Sequence, residues 1–207
     1  MGKVIENNQV TIIGKIDSEF QFSHKICGEG FYVVEVGVKR FSETVDRLPV
    51  MVSERLMDVH RNYTGECIEV HGQYRSFNLH RNNQHRLTLT IFAREVSFVE
   101  DEADGANTNT VLLDGFICKK PFYRKTPLGR EITDVMLAVN RPYGKSDHIP
   151  LICWGRNARF ASMLEIGDRI EVLGRIQSRE YIKWLSDTES EKRTAYDVSV
   201  SKMEQIY

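Results

Sequence analysis

The sequence lacks any long apolar run. No stretch approaches the ~18 consecutive apolar residues that a membrane-spanning helix needs. The first ten residues, MGKVIENNQV, also lack the apolar core of a signal peptide. We therefore expect a protein that stays in the cytoplasm and has no membrane partner.

Cysteine is scarce and never closely paired. Cys27, Cys67, Cys118 and Cys153 stand singly, without a CxxC motif. This spacing argues against a zinc site and against a disulfide framework. We expect reduced, mostly buried thiols, no bound metal and no other cofactor.

An excess of charge of one sign is missing too. The 28 Lys and Arg residues nearly balance the 29 Asp and Glu residues, for a net charge of -1. The balance excludes a polybasic tail and a strongly acidic disordered chain. With 41% hydrophobic residues, the composition is typical of folded domains.

Motifs of catalysis are also absent. The chain has no Gly-rich phosphate loop with a lysine, no HExxH motif and no nucleophile elbow. An enzyme built on this chain would have to use carboxylates such as Asp134 or Asp147. The sequence therefore favours a protein that is not an enzyme.

The chain repeats itself at a spacing of about one hundred residues. VTIIGKI from Val10 recurs as VLLDGFI from Val111, a shift of 101 residues. After one inserted residue, GECIEVHGQYRS from Gly65 matches GDRIEVLGRIQS from Gly167. Two copies of one domain are the simplest explanation. The shift of 101 also pairs Gly14 with Gly115, Gly28 with Gly129, Arg40 with Arg141, Asp46 with Asp147 and Pro49 with Pro150.

An acidic segment separates the two copies. EDEADGANTN, from Glu100 to Asn109, has no apolar periodicity and reads as a linker. We predict an N-terminal domain over residues 1–99, a linker over 100–108 and a C-terminal domain over 109–207. Residues 1–106 carry 12 basic and 16 acidic side chains, whereas 107–207 carry 16 and 13. The second copy is therefore the more plausible partner of a polyanion.

Each copy is predicted to be all-β, with five short strands and one helix between the third and fourth. In the second copy the strand patterns cover 110–118, 132–140, 148–154, 169–179 and 194–203, and RNARFASMLEIGD has helical spacing. This order is that of an oligonucleotide-binding (OB) barrel. We therefore predict two tandem five-stranded OB-fold barrels, although alternation alone equally describes another small barrel.

Aromatic and cationic side chains share the outer side of the second copy. Strand alternation puts a cationic row on the fourth strand, and Trp154 ends the third strand beside it. Phosphates attract cations, and unpaired bases stack on aromatic rings, so the pattern is typical of single-stranded nucleic-acid binding. Tryptophan packing and a solvated cationic strand are the structural alternatives. The candidate residues are Arg175, Arg179, Tyr181 and Lys183 with Trp154, and Phe122, Tyr123, Arg124 and Lys125 in the loop between the first two strands.

Six blocks of the second copy resemble the bacterial single-stranded DNA-binding protein family. They are NTVLLDGFI, PFYRKTPLGR, VMLAVNR, ICWGRNA, GDRIEVLGRIQSREY and RTAYDVSV, in order from Asn109 to about Met203. The first copy is similar to a diverged member of the same family, most clearly in GECIEVHGQYRS and LTLTIFAREV.

The resemblance implies sequence-tolerant binding and protection of single-stranded DNA in replication, recombination or repair. It implies base stacking on Trp154 and Tyr181, with backbone contacts from Arg124, Arg175 and Arg179. It also implies a homodimer, because family members use four OB folds and this chain supplies two.

The chain departs from the family pattern at several points. His148 stands where many members carry Trp, and Ser53 occupies the first-copy position of Trp154. Family members carry an acidic tail that recruits replication and repair proteins, and this sequence ends at SKMEQIY. We therefore expect replication or repair partners without tail-mediated recruitment. The first copy either binds weakly or serves as a structural, dimerising unit. Its candidate binding residues are Arg75, Phe77, His80 and Arg81.

A second function class stays open at this point. A primosome-type or mobile-element accessory protein would use its OB folds mainly to bind protein partners. The sequence also does not separate RNA from DNA, because no residue pattern tests for the sugar hydroxyl.

Overall fold

The computed structural model describes residues 7–81, 84–100, 108–184 and 190–207, with side chains except at 78–81, 84–87 and 143. The described chain is almost entirely β-structure, as predicted. The first half contains β1 (Asn8–Ile16), β2 (Gln21–Ile26), β3 (Glu29–Lys39), β4 (Val45–Ser53), β5 (Cys67–Arg81) and β6 (Gln84–Phe98). The second half contains β7 (Asn109–Ile117), β8 (Phe122–Lys125), β9 (Glu131–Asn140), β10 (Ser146–Trp154), α1 (Gly155–Ala161), β11 (Arg169–Trp184) and β12 (Ser190–Ile206).

Both halves close into a barrel with the same strand order. The first runs β1-β3-β4-β6-β5 and returns to β1, and the second runs β7-β9-β10-β12-β11 and returns to β7. The β4–β6 and β10–β12 pairs are parallel, and the other pairs are antiparallel. This is the OB topology that the strand and helix order predicts. Strands β2 and β8 add an edge to each barrel.

Alternating side chains fill each barrel. In β7 the side chains of Val111, Leu113 and Ile117 point into the core and are almost fully buried. The repeated glycine lies between them, where β7 crosses β9 to close the barrel. A Cβ atom at Gly115 would lie 2.5 Å from the carbonyl oxygen of Ala138, so no larger residue fits this crossing.

The two barrels are joined through their first strands. β1 and β7 pair antiparallel, with Val10 opposite Val111 at the centre of the pairing. These two valines correspond in the internal repeat. The pairing therefore places a local twofold axis between the halves.

A buried carboxylate from the first half holds a strand of the second. Asp46 accepts hydrogen bonds from Nε and Nη2 of Arg40 at 2.6 Å each. The same carboxylate accepts from the backbone N–H of Ser178 at 2.7 Å and from its hydroxyl at 3.1 Å. We call this arrangement the Asp46 clamp. It attaches β4 to β11.

The second half returns the same contact. Asp147 accepts from Arg141 Nε at 2.6 Å and from the backbone N–H of Ser76 at 2.6 Å. Arg141 Nη2 also donates to the Ser76 carbonyl at 2.8 Å. This Asp147 clamp attaches β10 to β5. The repeated Arg, Asp and Ser residues thus hold the barrels together across the twofold axis.

One of the two predicted helices is absent. Helix α1 follows β10 as expected, but residues 54–66 of the first half form turns and bends. There the side chains of Asp58 and Asn62 accept from the backbone N–H groups of His60 and Thr64, at 3.1 and 2.9 Å. Such local side-chain bonds compete with helical hydrogen bonds.

The predicted loop between the first two strands of the second half is partly a strand. Phe122 pairs with Asp134 and Lys125 with Glu131, which forms β8. A turn closed by a bond from Gly129 N–H to the Thr126 carbonyl at 2.8 Å connects β8 to β9. The segment is therefore held against the barrel.

The cysteines, the absence of long apolar helices in the described ranges and the linker were also considered in the sequence. The described cysteines form no disulfide; Cys67 and Cys153 are buried, whereas Cys27 is exposed. No helix in the described ranges is long and apolar enough to cross a membrane. Residues 101–107 of the predicted linker lie outside the described residues.

Candidate functional site

A groove runs over the outer face of the second barrel. It consists of two adjoining cavities of about 430 and 240 Å³. Strands β8 to β12 all contribute to its lining. The principal groove residues are Phe122, Arg124, Asp134, Ile152, Trp154, Arg179 and Asp197.

Strand alternation explains why polar side chains line this face. Ile176 of β11 and Val198 of β12 are fully buried in the barrel core and lie opposite each other. Their neighbours Gln177, Arg179 and Asp197 therefore face the outer side. All three line the groove.

The structure brings four of the predicted residues together. Trp154 lines the smaller cavity and Phe122 the larger, whereas Arg124 and Arg179 line both. Phe122 is 63% exposed and Trp154 is 42% exposed. Two accessible rings thus flank a pair of arginines, the combination that stacked bases and their phosphates require.

The cations of the groove differ in how they are held. Arg124 Nε lies 3.0 Å from Asp134 Oδ2 in a half-exposed ion pair. Arg179 is exposed and makes no ion pair within the described ranges. Arg40 of the first half also lines the smaller cavity, and its hydrogen bond to Asp46 raises its pKa. Arg179 is therefore available to a phosphate, as are the exposed Lys119 and Lys120 that line the larger cavity.

Three predicted residues of β11 lie outside the groove lining. Arg175 is half-buried and lies beside Gln177 on the same strand face. With the Gln177 amide oxygen oriented toward Arg175, that oxygen accepts from Arg175 Nε at 2.8 Å and from Nη2 at 2.9 Å. Tyr181 and Lys183 are exposed on the long β11–β12 hairpin that extends beyond the barrel. They continue the same strand face but are not enclosed.

Two predicted residues of β8 also lie outside the lining. The Tyr123 hydroxyl donates to Glu131 Oε1 at 2.8 Å, and this hydrogen bond raises the tyrosine pKa. Lys125 is exposed at the end of the strand. Alternation directs Phe122 and Arg124 to the groove, and it directs these two residues away from it.

The corresponding surface of the first half is differently built. Ser53, at the position of Trp154, is buried and its hydroxyl donates to Glu29. The Arg75 guanidinium lies 4.1 Å from the centre of the Phe92 ring, and burial followed by repulsion from Arg141 lowers its pKa. Phe77 is half-buried. The side chains of His80 and Arg81 lie outside the described residues.

Sequence reasoning missed an aromatic strip on the first half. His24 stacks on Phe31 with ring centres 5.2 Å apart, and Phe31 packs 5.8 Å from Phe92. Arg75 covers the far end of the strip. The three rings come from β2, β3 and β6, so no local spacing in the sequence relates them.

Sequence reasoning also missed Asp197 on the groove floor. The residue is 6% exposed and lines both cavities. Burial raises the pKa of its carboxyl to about 6. The only sequence signal is an acidic residue among apolar neighbours in YDVSV, which alternation places on the outer side.

The carboxylates considered for catalysis are both engaged in ion pairs. Asp147 belongs to its clamp with Arg141, and Asp134 pairs with Arg124. Across the described ranges, no three His, Cys, Asp or Glu side chains cluster as metal ligands.

Comparison with known proteins finds a family match in the second half and relatives of part of the chain. Residues 108–206 match the model of the Single-strand binding protein family. Single-stranded DNA-binding protein 3 of Listeria innocua is 36% identical over 80 residues, which cover 35% of this chain and 50% of that protein. Single-stranded DNA-binding protein A of Bacillus subtilis is also 36% identical over 80 residues, covering 35% and 46%. The chain thus spans about half the length of these relatives.

The fold of the whole chain has a match among solved structures. The wild-type single-stranded DNA binding protein from Thermus aquaticus superimposes with a TM-score of 0.77. The match covers 97% of this chain and 93% of that one, at 20% sequence identity. At this identity the likeness establishes the fold.

Proposed function

We propose that this chain binds and protects single-stranded DNA, from the premise that residues 108–206 match the Single-strand binding protein family. Binding is sequence-tolerant and makes or breaks no covalent bond. The protein serves replication, recombination or repair in the cytoplasm.

The mechanism follows from the two kinds of side chain in the groove. Unpaired bases stack on Trp154 and Phe122, while Arg179 and Arg124 neutralise the phosphates between them. Duplex DNA hides its base faces, so the groove discriminates against it by geometry. The observation that carries the proposal is that the exposed Trp154 lines the same cavity as Arg40, Arg124 and Arg179.

The strand leaves the groove along β11. Tyr181 offers a further stacking ring, and Arg175 and Lys183 lie on the same strand face. Tyr123 and Lys125 lie on the opposite face of β8, where they would contact DNA that passes around this edge strand. These residues would extend the contact beyond the enclosed part.

The first half has a weaker role in the proposed function. Its stacking position is occupied by Ser53, and its Arg75 is turned onto Phe92. We assign it weak binding, through Phe77, His80, Arg81 and the aromatic strip. We further propose two OB domains, 1–99 and 109–207, joined by the 100–108 linker, and a homodimer of such chains with four OB folds.

Fluorescence titration of Trp154→Ala tests the proposal. Wild type should bind a dT oligomer of about 16 nucleotides and should not bind a duplex of equal length. Its log affinity should fall with log salt at a slope of roughly −3 to −6, because about four to eight phosphates are neutralised. Removing the ring should weaken binding by ~1–3 kcal/mol, the value of one stacked base.

Met163→Ala is the matched control. Met163 is 72% exposed and lies outside the groove. Its variant should bind like wild type in an anisotropy assay with labelled DNA, which does not depend on tryptophan emission. Unchanged affinity of Trp154→Ala would contradict the proposed groove and favour a protein-binding role.

A further inference from the structure

Asp197 is a largely buried carboxylate that opens onto both cavities of the groove. It is 6% exposed, no hydrogen bond joins it to the described residues, and the charge of Arg179 only partly offsets its burial. The other two deeply buried carboxylates, Asp46 and Asp147, accept several hydrogen bonds each. A largely buried carboxylate with few donors is costly, so a donor on a molecule that enters the groove would be stabilised at this carboxylate.

The position of Asp197 points to a base as that donor. It lies where the two cavities meet, with Trp154 on one side and Phe122 on the other. A base stacked on either ring would present its edge to the groove floor. The charged and titratable groups that interact electrostatically with Asp197 or line the groove beside it are Arg179, Asp134, Arg124, Arg40, Asp46, Tyr74, Tyr196, Lys119 and Lys120.

Guanine is the base whose edge fits a carboxylate best. Its Watson–Crick edge carries two adjacent donors, the ring N1–H and the 2-amino group, which match the two oxygens of a carboxylate. Thymine presents one N–H between two carbonyl oxygens that a carboxylate repels. Cytosine and adenine present one amino group next to a ring-nitrogen acceptor.

We propose that Asp197 makes one position of the groove select guanine over thymine. The carboxylate accepts from guanine N1–H and from the 2-amino group while the base stacks on an adjacent ring. The inference rests on the proposed single-stranded DNA binding and adds a base preference to it. All other contacts of the groove remain sequence-tolerant.

The preference should depend on pH. Because burial raises the pKa of Asp197 to about 6, the carboxylate is charged above that pH and protonated below it. A protonated carboxyl accepts less well and presents one donor of its own. The selectivity for guanine should therefore be full near neutral pH and should fade as pH drops through about 6.

Competition titrations with three oligomers test the inference. They are dT, alternating dT-dG and alternating dT-dI, each of about 16 nucleotides. Inosine retains the N1–H of guanine but lacks the 2-amino group. Wild type should prefer dT-dG over dT by about fivefold, the low end for a bidentate base contact, with dT-dI between them. Asp197→Asn should lose this preference.

Asp134→Asn is the matched control, because Asp134 lines the same groove but is paired with Arg124. Its variant should shift all affinities together and leave the dT-dG to dT ratio unchanged. The inference is overturned if wild type binds dT-dG and dT equally, or if Asp197→Asn retains the preference. It is also overturned if the ratio in wild type is the same near pH 5 and pH 7.5. Failure to bind any oligomer would overturn the proposed function itself, and this inference with it.

Discussion

At the residue scale, the effect of burying a carboxylate on stability depends on its hydrogen-bond donors. The buried carboxylates Asp46, Asp147 and Asp197 show this difference. Asp46 and Asp147 sit among donors from an arginine and a backbone N–H, which compensate for lost water. Asp197 has no such donors in the described residues, and burial raises its pKa to about 6. The first two stabilise the molecule, whereas burial of the third lowers stability where it is charged.

The cost of Asp197 should be measurable as a pH-dependent stability. A carboxyl whose folded pKa lies above its ordinary 3.8 stabilises the folded state below that value and loses this contribution as pH rises to about 6. Asp197→Asn does not titrate. The free energy of unfolding of Asp197→Asn, relative to that of wild type, should therefore rise by on the order of 2 kcal/mol as pH increases from about 4 to about 7.

Urea unfolding of both proteins at the two pH values measures this difference. Asp134→Asn serves for comparison, since Asp134 is about 40% exposed. A constant gap between wild type and Asp197→Asn across the pH range would contradict the prediction.

At the element scale, a strand of each barrel is held by a carboxylate on a strand of the other. The Asp46 clamp grips β11 at Ser178, next to the groove residues Gln177 and Arg179. The Asp147 clamp grips β5 at Ser76 in the same way. The groove is therefore supported from outside its own barrel. The internal repeat identified the Arg, Asp and Ser residues of the two clamps as corresponding positions. A repeat does not show which residues are in contact.

Loss of either clamp should destabilise the whole chain. Asp46→Asn leaves the Arg40 guanidinium facing an amide that also donates, and it removes the negative charge that compensates this arginine. We expect a loss of about 3 kcal/mol in the free energy of unfolding, as for a broken buried ion pair. Asp147→Asn should lose a similar amount because its clamp is equivalent.

Chemical unfolding followed by circular dichroism would measure both losses. Asp114→Asn, which breaks the half-exposed ion pair with Arg169, should cost less than about 1 kcal/mol. Losses of that small size for Asp46→Asn would show that the clamp is not a principal contact between the barrels.

Elements also account for the limits of the sequence predictions. Strand alternation placed Trp154 and Arg179 on one face, because period two holds wherever a strand has one buried side. Alternation did not predict that the Arg75 guanidinium would pack on the Phe92 ring, because that ring comes from another strand. The apolar pattern predicted helix α1, but the equivalent first-half segment contains Asp58 and Asn62, whose side chains form turns.

At the scale of the whole molecule, the chain is a pair of similar barrels around a local twofold axis. The internal repeat predicted both barrels, because each copy carries its own strand order and core. The repeat did not predict which residues meet between them. The two outer faces differ: one presents Trp154, Arg179 and Asp197, and the other presents the strip of His24, Phe31 and Phe92.

We expect two such chains to assemble. Four OB folds make the assembly that the family resemblance implies, and one chain supplies two of them. Light scattering after size-exclusion chromatography should give twice the chain mass of 23.9 kDa. A dilution series controls for weak association, and a mass of 23.9 kDa at every concentration would contradict the homodimer.

The central pairing of Val10 with Val111 has a consequence for how the two faces can change over time. Where identical subunits meet on a symmetry axis, one gene encodes both sides, and every mutation alters both surfaces at once. Here each side of the axis has its own codons. Evolution can therefore remodel one surface for a new ligand while the other keeps its original chemistry.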